Sequence, residues 1–376
     1  MNTRTETYES ALDRVCTTTI AGSAAEVDRS GSFPTESIEA LSSSGLAGAL
    51  SSTEFGGLGA GLTGAARIVQ RVAQECGSTA MVLTMHYGGV AVLEAYGPDQ
   101  VRRAAASGTH LSTLAFSEAG SRSHFWAPTS TARDGDSGTI LDAEKSWVTS
   151  ASHATAYVWS SRPLAAEGLS TIWLVAAGSD GLAIRGPFEG MGLRGNDSSP
   201  VSAAGVSVPP SAMLGSDGQG FEIMMNVVLP VFAVLSAACS NGLMAGALRR
   251  TVEHITRTKH TDTGTSLADL PTIRNYIARM QVKTDMSAAL LEDTLAAMSA
   301  QRPDTTLRVL ECKAAAGETA NEVLDLAMRV CGGAAFRKDV AVERFFRDAR
   351  AAGVMAPTTD VLYDFIGKAV CGMPLF

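Results

Sequence analysis

The segment GAGLTG, Gly59–Gly64, has the GxGxxG spacing of glycines that can cradle the phosphates of a dinucleotide at the start of a helix. Such a site also needs a hydrophobic strand directly before the glycines and an acidic residue about 20 residues after them. Here Ser51–Glu54 precede the glycines, and the apolar run MVLTMH lies where the acid is required. The sequence therefore predicts a loop at these glycines, and not a dinucleotide-binding turn.

The cysteines could ligate a metal or form disulfides, but they are scattered along the chain. They are Cys16, Cys76, Cys239, Cys312, Cys331 and Cys371. None has CxxC or zinc-finger spacing, so we predict no metal site. Free thiols are typical of a reducing compartment, and the N-terminal MNTRTETYES lacks the apolar core of a signal peptide. We therefore expect a cytoplasmic protein.

Composition and charge exclude two classes of partner. The 376 residues are 45% hydrophobic and carry a net charge of −8, with no basic stripe, which argues against nucleic-acid binding. The run IMMNVVLPVFAVLSAAC approaches the length of a membrane span, but Asn226 and Pro230 interrupt it. We predict a buried bundle helix there and no membrane association.

Three zones of different periodicity indicate an α+β multidomain protein. Residues 1–110 are predicted helical, and PTESIEALSSSGL has a capping-type start and a glycine stop. Residues 111–220 alternate with the period of strands and contain Asp-Gly turns. Residues 221–376 return to helical spacing, with helices predicted near 221–258, 268–300, 304–330 and 358–371. The expected order is an N-terminal α-helical domain, a middle β-domain and a C-terminal four-helix bundle.

Four separated stretches together resemble the acyl-CoA dehydrogenase flavoproteins, and they occur in the order found in that family. They are LAFSEAGSRS (114–123), DAEKSWVTSA (142–151), GMGLRGNDSSPVSAAGVSVPPSAMLGSDGQGF (190–221) and RVCGGAAFRKDVAVERFFRDAR (329–350). The similarity extends over most of the chain and includes EFGGLG near the N-terminus. It implies an FAD-dependent oxidoreductase with the helix, β-domain and bundle architecture predicted above.

The resemblance also implies which residues hold FAD. Phe116, Ser117 and Ser123 fall at positions that line the flavin and its phosphates in relatives. Trp147 and Thr149 match residues that cover the ring and hydrogen-bond its edge. A flavin needs a flat apolar wall and a few donors at its polar edge, so these residue types are suitable.

Further matches concern the rest of the cofactor and the assembly. Gly332 and Gly333 resemble the family's glycine turn, where the backbone lets a neighbouring subunit's FAD pass. Thr358 matches a threonine near the phosphate arm. An arginine expected to reach the partner's cofactor is His260 here, which puts that contact in doubt. The family's cofactor sharing implies a homodimer or homotetramer.

The main departure concerns the catalytic base. Relatives carry the glutamate that removes the α-proton just after the RDAR helix, and that position is Ala356. A minority of relatives carry it on the first bundle helix, and that position is Phe232. Because a positioned base contributes typically about 10²–10⁴ in rate, ordinary α,β-desaturation is not expected.

Hydride removal from a carbon that bears oxygen remains possible, because an O–H proton is lost more easily than a C–H proton. If the product is a carboxylate, a cation near the flavin would stabilise the developing charge, and Arg122 is the candidate. The alternative for Arg122 is a surface arginine paired with Glu118 or phosphate. His124 is the candidate proton acceptor, and its alternative is a structural histidine.

The C-terminal MAPTTDVLYDFIGKAVCGMPLF resembles a branch of the family from polyketide and nonribosomal peptide clusters. Its members oxidise small acyl groups on an acyl carrier protein to hydroxymalonyl or aminomalonyl units, as in the colibactin pathway. This implies a carrier-bound three-carbon thioester as substrate, with acyl-CoA as the alternative carrier. A desaturase with an unrecognised base, a flavin monooxygenase and a non-catalytic scaffold are the competing hypotheses.

Overall fold

The computed structural model describes residues 7–121, 124–136, 138–259 and 261–375, and its N-terminal part is helical. The helices are α1 (Tyr8–Val15), α2 (Ala21–Ser30), α3 (Thr35–Ser43), α4 (Gly61–Ala73), α5 (Gly77–Tyr96) and α6 (Asp99–Ala106). A π-helical turn, Cys16–Ile20, joins α1 to α2. The sequence of α5 is apolar or small on nearly every face, and the helix is accordingly buried on nearly every face.

The glycine-rich loop before α4 is a loop, as predicted. Gly59 and Gly61 have φ of +60° and +63°, a conformation that glycine adopts without strain. A short 3₁₀ turn, Thr53–Phe55, precedes them where a dinucleotide site needs a strand. The predicted capping-type start of α3 is wrong, because Pro34 occupies the cap position and no side chain caps the helix. Gly45, with φ of +72°, follows the helix as expected.

Two four-stranded sheets form the middle domain. The strands are β1 (Ser112–Ala115), β2 (Thr131–Gly135), β3 (Gly138–Val148), β4 (Ala156–Ser161), β5 (Thr171–Ala176), β6 (Leu182–Ile184), β7 (Ser199–Val208) and β8 (Met213–Leu214). One sheet has the order β1-β4-β5-β8 and the other β2-β3-β7-β6. β1 and β4 are parallel, and the remaining strand pairs are antiparallel.

The sheet β1-β4-β5-β8 is buried on both faces. Trp159 on β4 lies opposite Trp173 on β5, and both indoles pack in the core that the two sheets share. The neighbouring residues Val158 and Ile172 point the other way and pack in a core built largely from helical residues. Because side chains alternate along a strand, this sheet is a common wall of two cores.

The C-terminal part returns to helices. They are α7 (Gly220–Ile223), α8 (Leu229–Arg257), α9 (Pro271–Ser299), α10 (Thr305–Cys331), α11 (Val342–Ala349), α12 (Ala351–Val354) and α13 (Thr359–Val370). The long helices α8, α9 and α10 pack against one another, and α8 also packs against α4 and α5. One large core therefore contains residues of both the N-terminal helices and the bundle.

The continuous helix Gly220–Arg257 is the one described helix whose length and composition would allow it to cross a membrane. In the structure, 72% of its apolar window is buried. Its apolar residues pack against α4, α5 and the other bundle helices, as predicted for a bundle helix.

The α+β architecture with helical ends and a middle β-domain is confirmed. The helical spacing alone did not predict α11 and α12, which fill the interval between α10 and α13, although the family resemblance implied a helix at the RDAR motif, where α11 lies. The sequence prediction also did not include β1, a strand of only four residues that precedes the LAFSEAG motif.

Candidate active site

A cavity of about 890 Å³ lies between the β-domain and the helices. The β-domain contributes the end of β1, the end of β3 and the segment 188–198. The helical part contributes residues of α5, α8 and the segment 347–356. Its size and its mostly apolar walls with a few polar groups are those of a ligand site.

Trp147 forms part of the wall on the β-domain side. The register of β3 against β7 shifts between Lys145 and Val148, and Trp147 within this bulge has φ of +53°. The bulge turns the indole out of the strand's alternation, so that 67% of the side chain is exposed. Its ring meets the ring of Phe188 edge-on, with centroids 6.4 Å apart. A strained backbone that presents an uncovered aromatic side chain to a cavity is typical of a binding site.

Phe116 and Ser117, at the end of β1, line the same side. The ring of Phe116 is buried and stacks parallel to Phe125, with centroids 6.5 Å apart. The Ser117 carbonyl accepts a hydrogen bond of 2.8 Å from the Ser146 amide, which ties the end of β1 to β3. The predicted residues of the two motifs therefore lie together at one wall.

Polar groups for the edge of a flat ring lie beside this wall. Thr149 and Ser198 are both buried, and their hydroxyl oxygens are 2.9 Å apart. The Oδ1 atom of Asn196 is buried and has no hydrogen-bond partner among the residues described. Because buried polar atoms are normally hydrogen-bonded, this oxygen is expected to accept one from a ligand. The aromatic wall with polar groups at its edge fits an isoalloxazine ring.

Glu118 is the one carboxylate among the described residues that line the cavity, and it is already paired. Its Oε1 lies 2.5 Å from Nζ of Lys145, and both side chains are fully buried. Its other oxygen accepts hydrogen bonds from the backbone amides of Thr129 and Ser130. Burial alone would raise the pKa of Glu118, but the Lys145 ammonium and these hydrogen bonds outweigh it and hold the pKa below its usual range. Glu118 is therefore an anchor of the wall and not a free base.

Ala356 and Phe232, the two positions that the resemblance predicts for the base, both line the cavity. Phe232 belongs to α8, and Ala356 follows α12. Neither side chain can accept a proton. The structure therefore brings both positions to one site, and both are apolar there.

Of the two predicted catalytic residues, the structure describes only His124. Arg122 lies outside the described residues, as do Ser123 and His260. His124 is exposed and is not among the residues that line the cavity. Its ring stacks on Trp126, with centroids 4.8 Å apart. The described contacts agree with the alternative of a structural histidine, and the role of His124 as proton acceptor stays a prediction.

The residues predicted for the distal part of the cofactor are not among the residues that line the cavity. Gly332 and Gly333 are exposed at the start of a 3₁₀ turn, Gly332–Phe336, and nothing occupies the space where a side chain would begin. Gly332 has φ of +55°. Thr358 caps α13, and its hydroxyl accepts a hydrogen bond of 3.5 Å from the Val361 amide. Its hydroxyl therefore has a structural partner within the chain.

Lys313 on α10 is a buried cation behind the cavity wall that the sequence prediction missed. Its side chain is 3% exposed, and its Nζ donates to the carbonyls of Met355 at 3.0 Å and Pro357 at 2.8 Å. A third carbonyl, that of Ala352, lies at 3.4 Å. Burial lowers the pKa of the ammonium to about 8. The sequence signal was a single lysine within the apolar face of a helix, between Leu310 and Ala314.

The RDAR motif contains two arginines, and they have different partners. Arg347 is held by Asp28 at 2.6 Å and by Glu343 at 2.6 Å, and it also donates to the carbonyl of Met191. Arg350 lines the cavity with its guanidinium over the ring of Phe346, 4.0 Å from the centroid. Within the described part of the chain Arg350 forms no ion pair. The motif was recognised in the sequence, but not this difference.

Sequence models of the acyl-CoA dehydrogenase family match nearly the whole chain. The N-terminal domain matches residues 3–108, the middle domain residues 113–206 and the C-terminal domain residues 218–371. A curated relative, cyclohex-1-ene-1-carbonyl-CoA dehydrogenase of Syntrophus aciditrophicus, is 27% identical over 364 residues. The match covers 93% of this chain and 86% of the relative.

Solved structures with the same fold include proteins of different roles. An FAD complex of PigA matches with a TM-score of 0.88 and 19% identity over 99% of both chains. FkbI, for biosynthesis of a methoxymalonyl extender unit, matches with a TM-score of 0.85 and 22% identity over 96% of this chain and 99% of that one. The prolyl acyl carrier protein oxidase AnaB matches with a TM-score of 0.87 and 17% identity over 98% of this chain and 99% of that one. With its three domain matches and its flavin-shaped wall, this chain belongs to the acyl-CoA dehydrogenase family of FAD-dependent oxidoreductases.

Proposed function

We propose that this enzyme oxidises a small acyl thioester at a carbon that bears oxygen, with the acyl group carried by an acyl carrier protein. The observation that carries the proposal is the chemistry at the two base positions. Ala356 and Phe232 both line the cavity, and the one described carboxylate there, Glu118, is held by Lys145. Desaturation of a saturated acyl chain requires removal of a weakly acidic C–H proton, and no described group in the cavity is free to take it.

Oxidation of an alcohol or a hydrated aldehyde makes a smaller demand on the protein. The C–H bond breaks with its electron pair, the O–H proton leaves to water, and a carbonyl or a carboxylic acid forms. FAD, when bound, accepts the hydride. Trp147 and Phe116 would hold the ring, and Thr149, Ser198 and Asn196 would meet its polar edge.

The choice of carrier is supported by likeness of fold and by the resemblance of the C-terminal segment. FkbI and AnaB share this architecture, and the first is named for extender-unit biosynthesis and the second for an acyl carrier protein substrate. We therefore propose hydroxymalonyl- or aminomalonyl-type units of secondary metabolism as products.

We also propose a homodimer or homotetramer in which FAD is shared. The exposed Gly332 and Gly333 leave open space at the turn, and Phe336 beside them is 79% exposed. Both features suit a surface that a second copy covers.

The test is anaerobic mixing of the FAD-loaded enzyme with short acyl groups. A carrier protein loaded with a hydroxyl- or aldehyde-bearing three-carbon acyl group is expected to bleach the flavin. Intact-protein mass spectrometry should then show the loss of two hydrogens, or the gain of one oxygen where a hydrated aldehyde reacts. The same acyl groups on CoA provide the carrier comparison. Bleaching by butyryl-CoA at an equal or greater rate would overturn the proposal.

A further inference from the structure

Lys313 carries a buried charge without a counter-ion in the part of the chain that the structure describes. Its three contacts, with Ala352, Met355 and Pro357, are all backbone carbonyls. A lysine is almost never fully buried unless a carboxylate or another anion pairs with it. Carbonyl dipoles only partly replace such a partner, so the charge remains available to an anion nearby.

This charge lies directly behind the cavity wall. Met355 and Phe232 line the cavity, and Nζ of Lys313 is 3.0 Å from the Met355 carbonyl and 5.8 Å from the centroid of the Phe232 ring. Ala356, which lies between Met355 and Pro357 in the chain, lines the cavity as well. The side chain of Ala356 carries no charge that could neutralise the ammonium behind the wall. The methyl group of Ala356 leaves both the space and the charge to a ligand.

Arg350 adds a second cation to the same side of the cavity. It lines the cavity itself, and its guanidinium lies over the face of the Phe346 ring. By contrast, the other charged residues of the lining are neutralised, Arg347 by Asp28 and Glu343, and Glu118 by Lys145. The helical side of the cavity therefore has an excess of positive charge near Ala356.

We propose that Arg350, with Lys313 behind Met355 and Ala356, forms an anion site that binds the terminal carboxylate of a short acyl thioester. Arg350 makes the direct contact, and Lys313 is a positioning residue that holds the wall and adds its charge to it. The inference rests on the proposed function only in that an acyl thioester occupies this cavity. It identifies the acyl class as one whose far end is a carboxylate, or becomes one on oxidation.

A pair of ligands that differ in the charge of one end tests the anion site. Malonyl-pantetheine and its methyl ester differ in one negative charge, and the change in flavin absorbance of the FAD-loaded enzyme reports their binding. The enzyme is expected to bind the acid at least about tenfold more tightly than the ester. Equal affinity for the two ligands would overturn the proposal.

Variants of Arg350 assign the effect to its charge. R350Q is expected to reduce the acid-to-ester preference to within about twofold, and R350K to retain most of it. R133Q is the matched control, since Arg133 is exposed on β2 and pairs only loosely with Asp142, at 3.6 Å. The control should keep the full preference.

Lys313→Met removes the charge and keeps the length of the side chain. It is expected to weaken binding of the acid without weakening that of the ester, while the FAD content stays unchanged. If this variant does not fold, R350Q alone decides. If R350Q keeps the full preference for the acid over the ester, the assignment is overturned, whatever the result for Lys313→Met. Failure of the anion site and failure of the proposed reaction are distinguishable, because the first appears as absent binding preference and the second as absent turnover.

Discussion

Two buried lysines, one in the β-domain and one in the bundle, stand behind the walls of the same cavity and differ in what neutralises them. Lys145 meets Glu118 at 2.5 Å and also donates to the Ser160 carbonyl at 2.7 Å. Lys313 meets only carbonyls. The first belongs to a closed network whose charges cancel, which fixes the position of the flavin wall. The second leaves its charge to act on the cavity.

Replacing each lysine by methionine tests this difference and has the largest expected effects on stability. Lys145→Met leaves Glu118 buried without its partner, so the free energy of unfolding should fall by about 3–5 kcal/mol. Lys313→Met strands no opposite charge and loses only hydrogen bonds to carbonyls, so the loss should be about 1–3 kcal/mol. Urea unfolding followed by circular dichroism measures both.

Lys283→Met is the matched control for these two variants. Lys283 forms a half-exposed ion pair with Glu322, which should contribute less than about 1 kcal/mol. A loss for Lys313→Met as large as that for Lys145→Met would mean that Lys313 has a counter-charge and that the two sites are alike.

The pH dependence of stability sharpens the comparison at Lys313. Burial lowers the pKa of its ammonium from 10.5 to about 8, so between these values the unfolded chain binds the proton and the folded chain does not. Stability from this group therefore rises with pH across that window. The unfolding free energy of the native protein, relative to Lys313→Met, should increase by up to about 3 kcal/mol from pH 8 to 10.5. If this difference in unfolding free energy stays constant or falls as the pH rises, an anion near Lys313 in the folded chain stabilises its protonated form.

Restoring a carboxylate at the base position has the smallest expected effect. A356E places an acid at the cavity lining, with A356Q as the uncharged control of equal size. We expect no gain in turnover of a hydroxyl-bearing substrate, because removal of an α-proton is not part of the proposed reaction. Stopped-flow bleaching measures the rate. If A356E bleached faster than A356Q by a factor that approaches the ~10²–10⁴ of a positioned base, removal of the α-proton would limit the reaction.

The fold and the flavin wall were accessible from the sequence because their signals are local. The short apolar runs of β4 and β5, the helical spacing after Phe221 and the motif around Trp147 each lie within a short run of residues. β1 was missed because four residues are too few to show alternation.

The charges of the cavity were not accessible, because their partners are distant in the chain. Arg347 pairs with Asp28, 319 residues away, and Lys313 reaches carbonyls 39 to 44 residues away. A sequence shows a lysine in an apolar stripe, but only the packed structure shows whether a carboxylate or a carbonyl faces it. For the same reason the sequence does not show that the ring of His124 stacks on Trp126.

The sheet β1-β4-β5-β8 has a mechanical consequence. With Trp159 and Trp173 in one core and Val158 and Ile172 in the other, it cannot swing away from the helices without opening apolar contacts on one face. Widening of the cavity for an entering thioester must therefore come from its rim. The non-regular segment 188–193 lines the cavity on the β-domain side, but Arg347 donates to the Met191 carbonyl and the Leu193 amide donates to Asp348, which ties the second half of the segment to α11. The frame around the flavin wall is then fixed on both faces, and the width of the rim limits the size of the acyl group that enters.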